Sequence, residues 1–167
     1  MGLFDRLTGT KRPVSGLVPR PAEELRAAVL GLNRPDIPYV IRDGTPEGVD
    51  LVAEWRITEP AWRTFFARSR LSRAIEIRMR LVPEDHEVRA LDRQWEVDRV
   101  GGMPVAKKYG RGPVKTKSVR WTIGRGAEGR PEMTETFRFD SADLKEPLRN
   151  AVLDAGWTWR GVVIGQP

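Results

Sequence analysis

Apolar and polar residues alternate along much of this chain, which is the pattern of β-strands that bury one face. Successive side chains of a strand point to opposite sides of the sheet, so a period of two indicates a half-buried strand. Turn-forming residues separate these segments and join them as hairpins. The predicted strands, about seven in number, are 39–42, 49–57, 75–81, 87–97, 119–123, 133–139 and 157–163.

Two other segments have the spacing of helices. Residues 21–32 repeat apolar side chains every three or four positions after Pro21, which suits a first helical turn. Residues 141–155 carry a similar apolar stripe, and Gly156 is placed to end that helix. Residues 58–69 fit either a short helix or a strand.

Consecutive hairpins with one helix before them and one near the end predict an α+β fold with an antiparallel sheet. Most of the six tryptophans fall on the inward phase of the strands. We therefore expect a strongly curled sheet, a partial barrel, with the helix at 141–155 across it. The length fits one domain at 21–167, preceded by an N-terminal arm at 1–20 that carries four basic residues and one acid.

The apolar phase of the strand that starts at Glu87 changes between Ala90 and Leu91. A change of phase within one strand predicts a β-bulge at this point. The bulge would place Arg93 on the buried face, between Leu91 and Trp95. A buried guanidinium needs a partner. Arg93 could therefore hold an anionic ligand, pair with a core carboxylate or lie beyond the edge of the core.

The composition excludes several kinds of chemistry. The chain has no cysteine and one histidine, so disulfides, thiolate nucleophiles and sulfur-ligated metals are excluded. His86 lies among acidic residues at 84–87 without a second imidazole, which indicates a solvated turn. The glycines at 124–129 have dinucleotide-binding spacing, but a strand follows them instead of a helix. We expect no metal and no cofactor, and a non-enzymatic function is favoured.

No segment of the chain is a long uncharged apolar run. A membrane-spanning helix needs about 20 apolar residues, and a secretory signal also has an apolar centre. We therefore expect a cytoplasmic protein without a transmembrane segment.

Positive charge is concentrated in one part of the chain. Residues 101–125 contain seven Lys or Arg and no acid, in a protein with a net charge of +6. Because glycine and proline interrupt its first part, we predict a basic loop at 101–117. Such a loop can contact phosphates, and Tyr109 could stack on a base. The predicted partner-binding residues are Lys107, Lys108, Tyr109, Arg111, Lys115, Lys117 and Arg120.

Two functions are compatible with these features. The first is a non-enzymatic binding or assembly module whose basic loop contacts an anionic macromolecule, either an acidic protein surface or nucleic acid. Such a module could be a subunit of a larger assembly. The second is a small-molecule or lipid carrier with an aromatic pocket between the curled sheet and the helix at 141–155. The predicted pocket residues are Arg93, Trp55, Trp95, Trp121 and Phe137.

Overall fold

The computed structural model describes residues 3–57, 59–68, 73–100, 103–111, 117–125, 131–140 and 142–162. The helices are α1 (Leu3–Thr8), α2 (Ala22–Leu30), α3 (Arg63–Arg68) and α4 (Ala142–Asp154). The strands are β1 (Tyr39–Asp43), β2 (Leu51–Trp55), β3 (Arg73–Val82), β4 (Glu87–Val100), β5 (Met103–Arg111), β6 (Lys117–Arg125), β7 (Pro131–Asp140) and β8 (Thr158–Val162). Within these ranges no helix is long and apolar enough to cross a membrane. The predicted α+β class is confirmed.

The main sheet is mixed and contains six of the described strands. β1 to β5 follow one another in chain order, and each pair is antiparallel. One edge of β4 pairs with β3, and the other edge pairs with two strands in succession. β8 pairs in parallel with Glu87–Leu91, and β5 pairs with Arg93–Val100. β6 and β7 form a separate two-stranded sheet.

The predicted partial barrel is wrong. In the described part of the chain the strand order runs from β1 at one end to β5 at the other, and the sheet is neither closed nor strongly curled. The single sheet of about seven strands does not form either, since β6 and β7 pair with each other instead of joining it. Curling is unnecessary for burial, because helices cover one face of the open sheet.

The core lies between that face and helices α2 and α4. The apolar stripes of both helices predicted this, since residues three and four apart share one side of a helix. Full burial of each large apolar side chain stabilises the fold by about 1.5–3 kcal/mol. The largest fully buried side chains are Trp157, Trp159, Phe66, Leu25, Ile41, Leu51, Ile77, Met79, Leu144, Leu148 and Val29.

The bulge predicted near residues 90–91 is absent, because β3 and β4 pair in unbroken register along the whole of β3. The register of β4 shifts further along, between Glu96 and Val97, and on the side of β5. As a result Asp92 lies on the core face, opposite the buried Ile77. The apolar phase changes because β4 buries residues on both faces, which a regular strand can do.

The basic loop predicted at 101–117 is also wrong where the structure describes it. Residues 103–111 form β5, and Lys117 begins β6. Val100 pairs with Met103, and the two residues between them in the sequence are both glycine. Strand β5 was not predicted because these glycines were interpreted as the start of a loop.

Candidate functional site

The face of the main sheet that is turned away from α2 and α4 carries mostly charged side chains, and we call it the charged face. Its members alternate along their strands with the side chains that face α2 and α4, as the period of two requires. Neighbouring strands bring them together across the sheet. The charged face consists of Arg42, Glu54, Glu76, Arg78, Arg80, Glu87, Arg89, Arg93 and Arg160.

At one side of this face a single arginine binds two carboxylates. Arg42 donates from its Nη2 atom to Glu47 at 2.5 Å and from its Nε atom to Glu54 at 3.1 Å. The bond to Glu47 contributes most to raising the pKa of Arg42, and Arg42 in turn lowers the pKa of Glu47. With one arginine and two carboxylates, this corner of the charged face carries an excess of negative charge.

Glu76 occupies the centre of the charged face, where it is buried. It accepts hydrogen bonds from Arg78 Nε at 2.7 Å and from Arg93 Nη1 at 3.2 Å. Burial raises the pKa of Glu76, and the bond from Arg78 acts in the opposite direction. Glu54 lies directly opposite on β2, where like charges repel, so the arginines are needed to hold the two carboxylates side by side.

Arg93 is thus on the charged face and not on the buried face where the predicted bulge would have placed it. Its position is set by the regular register, which puts it opposite Glu76. Pairing with a carboxylate was one of the three possibilities left open by the sequence. The described side chain is 13% exposed, and its guanidinium contacts that carboxylate.

Three arginines on neighbouring strands form a line across the charged face, which we call the arginine row. Arg80 on β3 pairs in register with Arg89 on β4, and Arg89 pairs with Arg160 on β8. Adjacent strands lie about 4.8 Å apart, so three like charges are held side by side. Such neighbours are destabilising unless an anion compensates them.

Within the part of the chain that the structure describes, the arginine row has fewer carboxylates beside it than arginines. Glu87 accepts from Arg89 at 2.8 Å and lies 3.4 Å from Arg160, whose side chain is 55% exposed, and Asp85 lies 3.5 Å from Arg89. Arg80 donates to the carbonyl oxygen of Gly48 at 2.7 Å and has no carboxylate within 4 Å among the described residues. The row therefore presents accessible positive charge.

The residues predicted to bind a partner are divided between two sheets. Lys107, Lys108, Tyr109 and Arg111 belong to β5, the last strand of the main sheet, where Arg111 pairs in register with Arg93. Lys117 and Arg120 belong to β6 of the two-stranded sheet. Lys115 lies outside the described residues. Their role in binding stays a prediction.

The predicted pocket residues are divided as well. Trp55 is 6% exposed and packs edge-on against Tyr39, with 6.0 Å between ring centroids, as part of the core. Trp95 pairs in register with Ala74 on β3, whereas β6 carries Trp121 and β7 carries Phe137. Between the main sheet and α4, the space is filled by buried side chains such as Leu148. An aromatic pocket stays a prediction.

His86 ends the turn at Pro83–Asp85 with a left-handed backbone, at a φ of 46°. Its ring packs edge-on against Trp157, with 5.6 Å between centroids. In the part of the chain that the structure describes, no group of three or more His, Asp or Glu residues could hold a metal ion.

The arginine row itself was not predicted. Alternation places Arg80 and Arg89 on the polar side of their strands, but a parallel contact between β4 and β8 leaves no local turn signal in the sequence. Comparisons with protein-family models, curated proteins and solved structures found no match. The charged face is accordingly the feature from which a function can be inferred.

Proposed function

We propose that this protein is a non-enzymatic binding or assembly module that contacts an anionic macromolecule through the arginine row and strand β5. The observation that carries the proposal is the register of Arg80, Arg89 and Arg160 on three adjacent strands. Guanidinium groups bind phosphates and carboxylates with paired hydrogen bonds. Because the described residues provide only Glu87 and Asp85 for three arginines, an external anion would relieve the remaining repulsion.

A polymer suits this geometry better than a small anion does. Three positions across two strand spacings extend over about 10 Å. Repeating charges, whether phosphates of nucleic acid or carboxylates of an acidic protein, can contact all three arginines at once. A single small anion contacts fewer of them.

Strand β5 extends the basic surface that we propose. It ends the main sheet and carries Lys107, Lys108 and Arg111 without any acid. Lys115, Lys117 and Arg120 follow in the sequence and add further positive charge. Tyr109 supplies an aromatic ring that could stack on a base if the partner is single-stranded nucleic acid.

Binding of two labelled probes, a single-stranded oligonucleotide and polyglutamate, would test the proposal by fluorescence anisotropy at low salt. The variant R80Q/R89Q/R160Q should bind at least about tenfold more weakly than the unchanged protein, because it loses three ionic contacts. The control R34Q/R63Q/R149Q loses the same charge at positions outside the charged face and should bind almost normally. Circular dichroism and thermal unfolding would confirm that both variants fold.

A second variant tests the basic segment separately. Replacement of its cations by glutamine should also weaken binding and its salt dependence. The proposal is wrong if the unchanged protein binds neither probe. It is also wrong if R80Q/R89Q/R160Q and the basic-segment variant both bind as tightly as the unchanged protein. The residues replaced in this variant are Lys107, Lys108, Arg111, Lys115 and Lys117.

A further inference from the structure

The large apolar side chains that the described structure leaves exposed all lie in the N-terminal arm. Val14 is 77% exposed and Val18 is 84% exposed, although most apolar side chains elsewhere pack into the core. Singly exposed apolar residues are ordinary, but a concentration in one short segment indicates an interaction site. The exposed set is Leu3, Leu7, Val14, Leu17 and Val18.

The N-terminal arm is fixed to the domain at two places. Lys11 and Trp159 exchange two backbone hydrogen bonds, of 2.8 and 2.9 Å. Further along, the amide of Arg20 donates to Ala155 at 2.9 Å, and the indole of Trp157 donates to the carbonyl oxygen of Arg20 at 2.7 Å. The exposed apolar side chains are therefore presented from a backbone that is anchored to the domain.

Basic residues are interleaved with these apolar ones. Arg6, Lys11 and Arg12 are exposed, and the one acid of the arm, Asp5, pairs with Arg12 at 2.6 Å. Protein–protein interfaces are enriched in aromatic residues as well as arginine, and charged residues are scarce at their buried cores. Apolar side chains mixed with basic ones instead match the surface of an anionic bilayer, which has acyl chains beneath negative headgroups.

We propose that the N-terminal arm docks this protein on an anionic lipid surface, with its apolar side chains inserted below the headgroups and its basic residues among them. The arginine row is a different surface, so this docking does not depend on polyanion binding. The arm would place the module at a membrane, although no helix among the described residues is long and apolar enough to span one.

Because the chain contains no cysteine, one label can be attached at a chosen position. A V14C variant carrying an environment-sensitive fluorophore would be mixed with vesicles of phosphatidylglycerol and phosphatidylcholine. Its emission should become stronger and shift to the blue, and vesicles of phosphatidylcholine alone should cause little change. A label at N150C, on an exposed position of α4, serves as the matched control and should not respond.

Vesicle flotation of the unlabelled protein gives the affinity. The variant L7S/V14S/V18S should bind anionic vesicles about tenfold more weakly or worse, and it should unfold at the same temperature because all three side chains are exposed. The variant R80Q/R89Q/R160Q, labelled at V14C, should keep the fluorescence response.

Three results would overturn the inference. One is that the unchanged protein fails to bind anionic vesicles, and another is that L7S/V14S/V18S binds as well as it does. The third is a dimer, detected by analytical ultracentrifugation, that disappears in L7S/V14S/V18S, since this would assign the arm to a second copy of the chain.

Discussion

Glu76 is a carboxylate whose burial and whose arginine neighbours have opposite effects on its pKa. Burial is the larger effect and raises the pKa above the ordinary value of 4.5. The folded protein then binds more protons than the unfolded chain above pH 4.5, up to the raised pKa. The free energy of unfolding contributed by this group is fully present below that window and falls as pH rises through it.

The variant E76Q should lack this contribution. Its free energy of unfolding, measured by urea denaturation at a series of pH values, should fall less than that of the unchanged protein as pH rises above about 4.5. The groups with lowered pKa values, Asp43 and Glu47, destabilise the fold as pH falls, and they remain in both proteins. Identical pH dependence in the two proteins would show that Glu76 is not perturbed.

Gly161 marks the contact between β8 and the N-terminal arm. A Cβ atom at this position would lie 1.6 Å from the carbonyl oxygen of Thr8, so the arm would have to move. We expect G161A to destabilise the fold by about 1–3 kcal/mol and to speed hydrogen exchange at the Lys11 amide. G31A is the control, because Gly31 has a helical φ of −66° that alanine adopts easily. Unchanged protection of Lys11 would contradict the expected displacement.

Arg93 shows what single residues can and cannot reveal in the sequence. Its need for a partner followed from the cost of burying a guanidinium, and the carboxylate of Glu76 supplies one such partner. The face of the sheet on which Arg93 lies could not be predicted from the sequence. A change in the phase of the apolar residues can arise either from a bulge or from a regular strand that is buried on both faces. Only the pairing with β3 distinguishes these cases.

Helix α4 and strand β4 are joined by an ion pair on the core side of the sheet. Lys145 donates to Asp92, which is 5% exposed. Removing the cation from a buried carboxylate costs about 1–3 kcal/mol of stability. K145M should therefore lower the free energy of unfolding by about that amount, as measured by urea denaturation.

The same helix provides the control. Arg149 approaches Glu146 no closer than 3.9 Å, and Glu146 is 60% exposed, so R149M should change stability by less than about 0.5 kcal/mol. The double variant D92L/K145M should recover much of the loss, because an apolar pair of similar volume also removes the buried carboxylate. Equal stability of K145M and R149M would mean that the pair does not hold α4 on the sheet.

Elements with strong periodicity were predictable, and elements defined by distant partners were not. Helices α2 and α4 and the hairpin of β3 and β4 follow from local spacing and turn residues. Strand β5 was missed because glycine and lysine have weak strand preference, and its pairing with β4 stabilises it regardless. The parallel contact of β8 was missed because a crossover connection has no local signature.

For the whole molecule, the sequence predicted the α+β class but not the shape of the sheet. The alternation of apolar and polar residues indicates which side chains are buried. It is equally compatible with a curled sheet and with an open sheet that helices cover. The concentration of positive charge at 101–125 was visible in the sequence. The arginine row was not, since it arises from three strands that meet only in the folded protein.

The salt dependence of oligonucleotide binding tests the central claim most directly. For single-stranded nucleic acid, each ionic contact to a phosphate contributes about 0.7 to the slope of log K against log salt concentration. The slope should therefore be smaller by about 2 in R80Q/R89Q/R160Q, and it should be unchanged in R34Q/R63Q/R149Q. An equal slope in the unchanged protein and R80Q/R89Q/R160Q would show that the arginine row does not contact the polyanion.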